Sequence, residues 1–269
     1  MGLFCGNPRH WLHITVTKCA HSRGINKNKR SSDRLSHRET QHSRSPSPRG
    51  CPTLEAVDSW VLHIGNRRYS SWSLRAWLAV RASEVPFTCS LVWLDTPTFA
   101  PQVRSLSGAG CVPLLVTPNA TIWDSMAICE TAAEHACADP LWPDDPARRA
   151  VARAYAAEMH AGFPRLRAEL PMDLGACTHR TPSDACWEEI TRVAALWRDA
   201  RAANAHRGRF LFGDFSIADC MYAPVVTRFE SYGVTLDRAC HEYMDTILAL
   251  PAMIEWREAS REEPVLPDP

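Results

Sequence analysis

Along the chain, a sustained apolar pattern first appears at Trp60. The run Trp60-Val61-Leu62-His63-Ile64-Gly65 reads as a short buried strand, and Leu74, Trp77, Leu78 and Ala82 recur at helical spacing just after it. The next strand falls over Val85 to Trp93, a short helix over Phe99 to Leu106, and a third strand over Val112 to Val116. A fourth strand over Ala120 to Trp123 leads into a helix over Ser125 to His135. A strand-helix-strand start demands a parallel pair, whereas the short Thr117-Pro118-Asn119 link allows only an antiparallel hairpin. The pattern predicts a small mixed sheet with helices packed on it.

Strand signals stop at the Pro-rich stretch 138–146. Beyond it, Arg148 to Leu170, Ala185 to Ala203, Ile217 to Tyr232, His241 to Leu250 and Ala252 to Ala259 are helical by period and by their breakers. The expected fold class is therefore α/β plus all-α, with a sheet-bearing domain at 59–137, a linker at 138–146 and an all-helical domain at 147–269. Residues 1–58 show no lasting period. Their middle, Ser22 to Arg49, is Arg, Ser, His, Asn and Pro, too poor in apolar surface to offset chain entropy, so this extension is expected to be disordered.

Charge sharpens that boundary. The whole chain of 269 residues is neutral, but residues 1–58 carry 10 Lys or Arg against 4 acids, leaving 20 against 26 in the remainder. The extension is basic and the body is acidic, so the body has no bias toward phosphate backbones and nucleic acid is excluded as a partner. Apolar residues make up 45% and charged residues 22%, a globular balance, and no apolar run is long enough to span a bilayer. The apolar core Trp11 to Val16 is too short for a secretory signal and is broken by His13, and Gly6 stands where myristoylation needs Ser or Thr. A mitochondrial presequence and a start codon placed too far upstream both fit the basic extension.

Eleven cysteines, an odd number with no CxxC pair, read mostly as small buried hydrophobes in a reducing compartment. The 11 histidines form no His-x3-His or HExxH pair, which argues against a metal site.

Four local features carry candidate chemistry. Tyr69-Ser70-Ser71-Trp72-Ser73-Leu74-Arg75 sets hydroxyls at a helix start, where they cap free N–H groups and, with the helix dipole, favour a nearby thiolate. Gly110-Cys111-Val112-Pro113-Leu114-Leu115 puts proline just inside a strand, a bend or an edge marker. Asp124-Ser125 before an apolar helix is a cap that also offers a hydroxyl and bare N–H groups to an anion. Ser216 with Asp219 three residues on is a capping box.

In this order and spacing the four features resemble the glutathione transferase family, over residues 60 to 262. The resemblance implies a thioredoxin-like N-terminal domain followed by an all-helical C-terminal domain, glutathione as co-substrate, no metal, and a cytoplasmic homodimer acting on a small electrophile away from membranes. The first feature looks like the Ser-Ser-Cys-x-x-Arg signature of the zeta class and departs from it at Trp72, where that class has cysteine. By resemblance Ser70 activates the thiol, with Ser71 and Ser73 as further donors. Val112 and a cis Pro113 would hold the cysteinyl part, and Asp124 and Ser125 the γ-glutamyl end. Tyr155, Met159, His160 and Phe163 share one helical face, which is either core or dimer packing or, in the family's arrangement, the wall of the electrophile pocket. Glutathione-dependent isomerisation of a maleyl-type double bond and a binding protein without turnover are the alternative functions.

Overall fold

The computed structural model describes residues 60–265, and the basic extension expected to lack order lies outside them. Four strands form one sheet in the order β2-β1-β3-β4: β1 Trp60–Ile64, β2 Phe87–Leu91, β3 Leu114–Val116 and β4 Thr121–Ile122. The pair β1 and β2 is parallel, with Leu62 opposite Cys89, whereas β1 with β3 and β3 with β4 run antiparallel. This is the mixed sheet the pattern predicts. Alternation in β1 is plain: Trp60, Leu62 and Ile64 are buried, and Val61 and His63 only half so.

Helix α1 (Ser71–Ala82) follows β1, α2 (Phe99–Leu106) follows β2, and α3 (Ser125–Glu134) follows β4. The helical half contains α4 (Pro146–Ala161), α5 (Pro164–Glu169), α6 (Asp184–Asn204), α7 (Ile217–Ser231), α8 (Arg238–Leu248) and α9 (Pro251–Arg261). A thioredoxin-like domain is thus followed by a helical domain. The single helix expected over Arg148 to Leu170 is two helices. Gly162 ends α4, Phe163 takes a left-handed conformation at φ 62°, and Pro164 has no N–H to continue the ladder, so the chain restarts as α5.

Two helices organise the core. α1 packs on α3 on one side and on α7 on the other, and residues around its whole circumference are buried, from Leu74 and Trp77 to Ala76 and Val80. α7 is the centre of the helical half and runs through Pro224; Trp197 packs edge-on or tilted against Tyr222 and Phe229 of α7 and Tyr243 of α8, with ring centroids 4.9 to 5.9 Å apart. The capping box is present at its start: the Asp219 carboxylate accepts from Ser216 N at 2.9 Å and from Ser216 Oγ at 3.0 Å, and also from Leu211 N and Tyr243 Oη, both at 3.1 Å. Cys129, Cys186, Cys220 and Cys240 are buried as expected of small hydrophobes, while Cys89 and Cys177 are exposed.

Candidate functional site

The serine turn lies between β1 and α1. Asn66 O accepts from Tyr69 N at 3.1 Å and from Ser70 N at 2.8 Å, which reverses the chain and starts the helix. Ser70 is the N-cap: its Oγ accepts from Ser73 N at 3.4 Å and donates to Ser73 Oγ at 2.7 Å. Ser73 is fully buried, and its hydroxyl oxygen also accepts from Gly65 N at 3.0 Å, tying α1 to the end of β1. Ser71, the first residue of α1, takes a different partner. Its Oγ accepts from the Arg228 guanidinium, 3.3 Å away on α7.

That guanidinium is one of three that converge behind the turn. Arg75, one turn along α1, and Arg167 on α5 stand 4.5 and 4.8 Å from the Trp72 ring centroid, so a single indole serves two cations. Arg228 donates Nε to Leu170 O at 2.8 Å, and Arg167 donates to Met159 O and to His160 O. All these acceptors are carbonyls, a hydroxyl and a π face; none is a carboxylate. Arg75 Nε and Nη1, Arg167 Nε and Arg228 Nη1 are buried without a hydrogen-bond partner among the described residues. Burial, followed by the charges of Arg167 and Arg228, pulls the Arg75 guanidinium well down from its ordinary range. Burial, followed by Arg167, brings Arg228 down to about 9. Burial lowers Arg167 as well, with Glu189 opposing. Cations so placed create a positive potential that lowers the free energy of any anion beside Ser71.

The segment facing the turn carries the other candidates. The Val112–Pro113 peptide is cis, and Pro113 is buried at the entrance to β3 with Val112 half-buried beside it. Asp124 is the N-cap of α3, with Oδ1 accepting from Met126 N at 3.0 Å. Its other oxygen, Oδ2, lies 3.1 Å from His160 Nε2 near the end of α4. That hydrogen bond, more than any other influence, holds the Asp124 carboxyl below its ordinary range, against the opposite pull of burial. Ser125, the first residue of α3, is fully buried, and its Oγ has no partner among the described residues. A buried hydroxyl without a partner is uncommon.

The proposed pocket wall divides. Met159 and Phe163 are buried members of the core, whereas Tyr155 is half-buried, packs edge-on against Phe212 at 5.3 Å and accepts from Tyr222 Oη at its carbonyl. Sequence reasoning gave no role to Arg167 or Arg228. The signal is faint but present for Arg228, the lone cation of α7, which follows the apolar run 220–226. Among the described residues, no group of three His, Cys, Asp or Glu side chains is placed to hold a metal ion, and no helix is long and apolar enough to cross a membrane.

Comparison with known proteins gives a consistent picture. The family model "Glutathione S-transferase, N-terminal domain" matches residues 69–135, and "Glutathione S-transferase, C-terminal domain" matches residues 149–259. Among solved structures, a glutathione transferase homolog from Burkholderia with bound glutathione is 21% identical, covers 77% of this chain and 99% of its own, and has a TM-score of 0.59. A maleyl pyruvate isomerase, a bacterial zeta-class glutathione S-transferase, is 23% identical over 76% of this chain and 100% of its own, with a TM-score of 0.60. A maleylacetoacetate isomerase from Anaeromyxobacter dehalogenans is 24% identical over 78% of this chain and 95% of its own, with a TM-score of 0.56. At these identities the likeness is one of fold. No curated protein matches the sequence.

Proposed function

This chain belongs to the glutathione S-transferase family, and we propose that it binds glutathione against α1 and α3 and activates the thiol through a hydroxyl of the serine turn. The observation that carries the proposal is the convergence of Arg75, Arg167 and Arg228, without carboxylate partners, on the turn that bears the serines. A free thiol has a pKa of about 8.5, and a positive site with a hydroxyl donor and a helix start favours its thiolate. Ser70 holds the position that the family resemblance assigns to the activating hydroxyl, and its single hydrogen, given to Ser73 Oγ in the free protein, would turn to the thiolate when glutathione binds. Ser71 supports it, because a hydroxyl whose oxygen accepts from a guanidinium is the more strongly polarised donor.

The expected reaction is nucleophilic. The thiol proton leaves to solvent, the thiolate sulfur forms a bond to an electrophilic carbon, and that carbon's leaving group departs with the bonding pair. Asp124 and Ser125 hold the γ-glutamyl ammonium and carboxylate, the Val112 backbone holds the cysteinyl part, and Tyr155 borders the second substrate. The same reading makes the protein a cytoplasmic homodimer of 59–137 and 147–269 domains.

The arginine cluster favours a second reading, glutathione-dependent isomerisation of a maleyl-type substrate. Such a substrate carries two carboxylates, and the positive potential of the buried cluster favours anions bound near it. In this reaction the thiolate adds to the double bond, the resulting single bond rotates, and expulsion of the thiolate restores the double bond.

The test follows the thiolate by its ultraviolet absorbance as pH varies, in Ser70→Ala, Ser71→Ala and Ser73→Ala. Loss of the activating hydroxyl raises the apparent pKa of bound glutathione and lowers turnover while binding persists. If no variant shifts the titration, serine activation is wrong. Retention on glutathione resin without conjugation or isomerisation identifies a binding protein instead.

A further inference from the structure

His160, on the helical half, touches both ends of the candidate glutathione site. Its Nε2 meets Asp124 Oδ2 at 3.1 Å, and its ring stands edge-on to Trp72 with centroids 5.2 Å apart and planes at 81°. The backbone carbonyl of the same residue accepts from Arg167 at 3.0 Å. His160 Nδ1 is buried without a partner among the described residues, so the ring hydrogen of the neutral form is assigned to Nε2, where the carboxylate accepts it.

Asp124 has two tasks and two oxygens. Oδ1 accepts from Met126 N as the cap of α3 and the carboxylate also takes a bond from the Ala127 backbone, so Oδ2, held by His160, is the oxygen that can also meet a ligand. Without His160 only the cap bonds restrain that carboxylate about its last torsion, a broad two-fold rotor. The side chain is 49% exposed and that of His160 is 26% exposed, so the contact opens onto the surface a ligand approaches. Oδ2 can accept from an imidazole N–H and from an ammonium at once, because a carboxylate oxygen has two lone-pair sites.

We infer that His160 is a positioning residue for glutathione: it locks the free oxygen of Asp124 toward the γ-glutamyl ammonium from across the domain boundary and sets Trp72 beside it. The inference rests on the reading that Asp124 holds that ammonium. His160 itself touches no reacting atom in this scheme; it acts through Asp124.

The test is calorimetric titration of the full chain with glutathione and with its analogue lacking the γ-glutamyl amine. The unaltered protein prefers glutathione. His160→Ala weakens glutathione binding about tenfold, the scale of one hydrogen bond to a charged group, and leaves the analogue nearly unaffected. His160→Gln, which keeps an N–H donor, restores most of the loss and guards against a folding defect, with Tm measured for each variant. In an Asp124→Asn background His160→Ala has little further effect. An equal loss for both ligands marks a merely structural contact and overturns the inference, as does unchanged or tighter glutathione binding. Should the unaltered protein bind both ligands equally, the role of Asp124 falls first and the inference with it.

Discussion

Ser125 opens α3, yet the bond that caps this helix comes from Asp124, so Ser125→Ala removes no cap. It removes a fully buried hydroxyl that no described group satisfies. Leaving such a group unpaired costs about 1–3 kcal/mol, and alanine is also the better helix former, so a net gain of about 1 kcal/mol is expected in the ligand-free protein. For a chain of this size that raises Tm by about 2–4 °C. Glutathione reverses the order. Losing a hydrogen bond to its carboxylate costs about 2 kcal/mol, roughly a 30-fold weaker Kd. With glutathione at about 1,000 times the parent Kd, the parent gains about 4 kcal/mol and the variant only about 2 kcal/mol. Thermal melts with and without glutathione should therefore cross: the variant melts higher alone and lower when ligand is in excess. A ligand-free Tm several degrees below the parent would show that the hydroxyl is paired within the protein. An unchanged Kd would place the carboxylate elsewhere.

Two further substitutions probe the scaffold around this site. Arg228→Met should raise the apparent pKa of the bound thiol, and millimolar maleate is expected to raise the Tm of the parent but not of this variant; an equal maleate response in both would remove the arginine cluster from the anion site. Asp219→Asn sets an amide N–H group against N–H and O–H donors and should cost about 3 kcal/mol in urea unfolding at pH 7. Burial pushes the Asp219 carboxyl up to about 6, above its unfolded value, so the parent takes up a proton on folding in mild acid. Its stability relative to the asparagine variant then rises as pH falls from 6 toward 4, and a flat difference over that range would contradict the assignment.

The periods were most legible where an element has one face to bury, as at β1 and at α2, the latter matching the pattern at both ends. The break at Gly162-Phe163-Pro164 was missed because the apolar spacing continues across it, with Met159, Phe163 and Leu166 all buried although the backbone hydrogen bonds stop. Asp124 and Ser125 could be found as neighbours in sequence. The arginine cluster could not: Arg75, Arg167 and Arg228 come from three helices far apart in the chain, and a cation in a helical pattern ordinarily faces water. Only the packing of α1 against α7 brings Arg75 and Arg228 under cover.

That same packing bears on modularity. Because α1 is clothed on one side by α3 and on the other by α7, the sheet-bearing half cut away from the helical half would bare one flank of its principal helix, including a guanidinium that is now 0% exposed. The two halves match two family descriptions, and this shared helix is expected to make them melt as one cooperative unit. Recombining either with the complementary half of a distant relative would succeed only where the donor supplies a matching α1 seat.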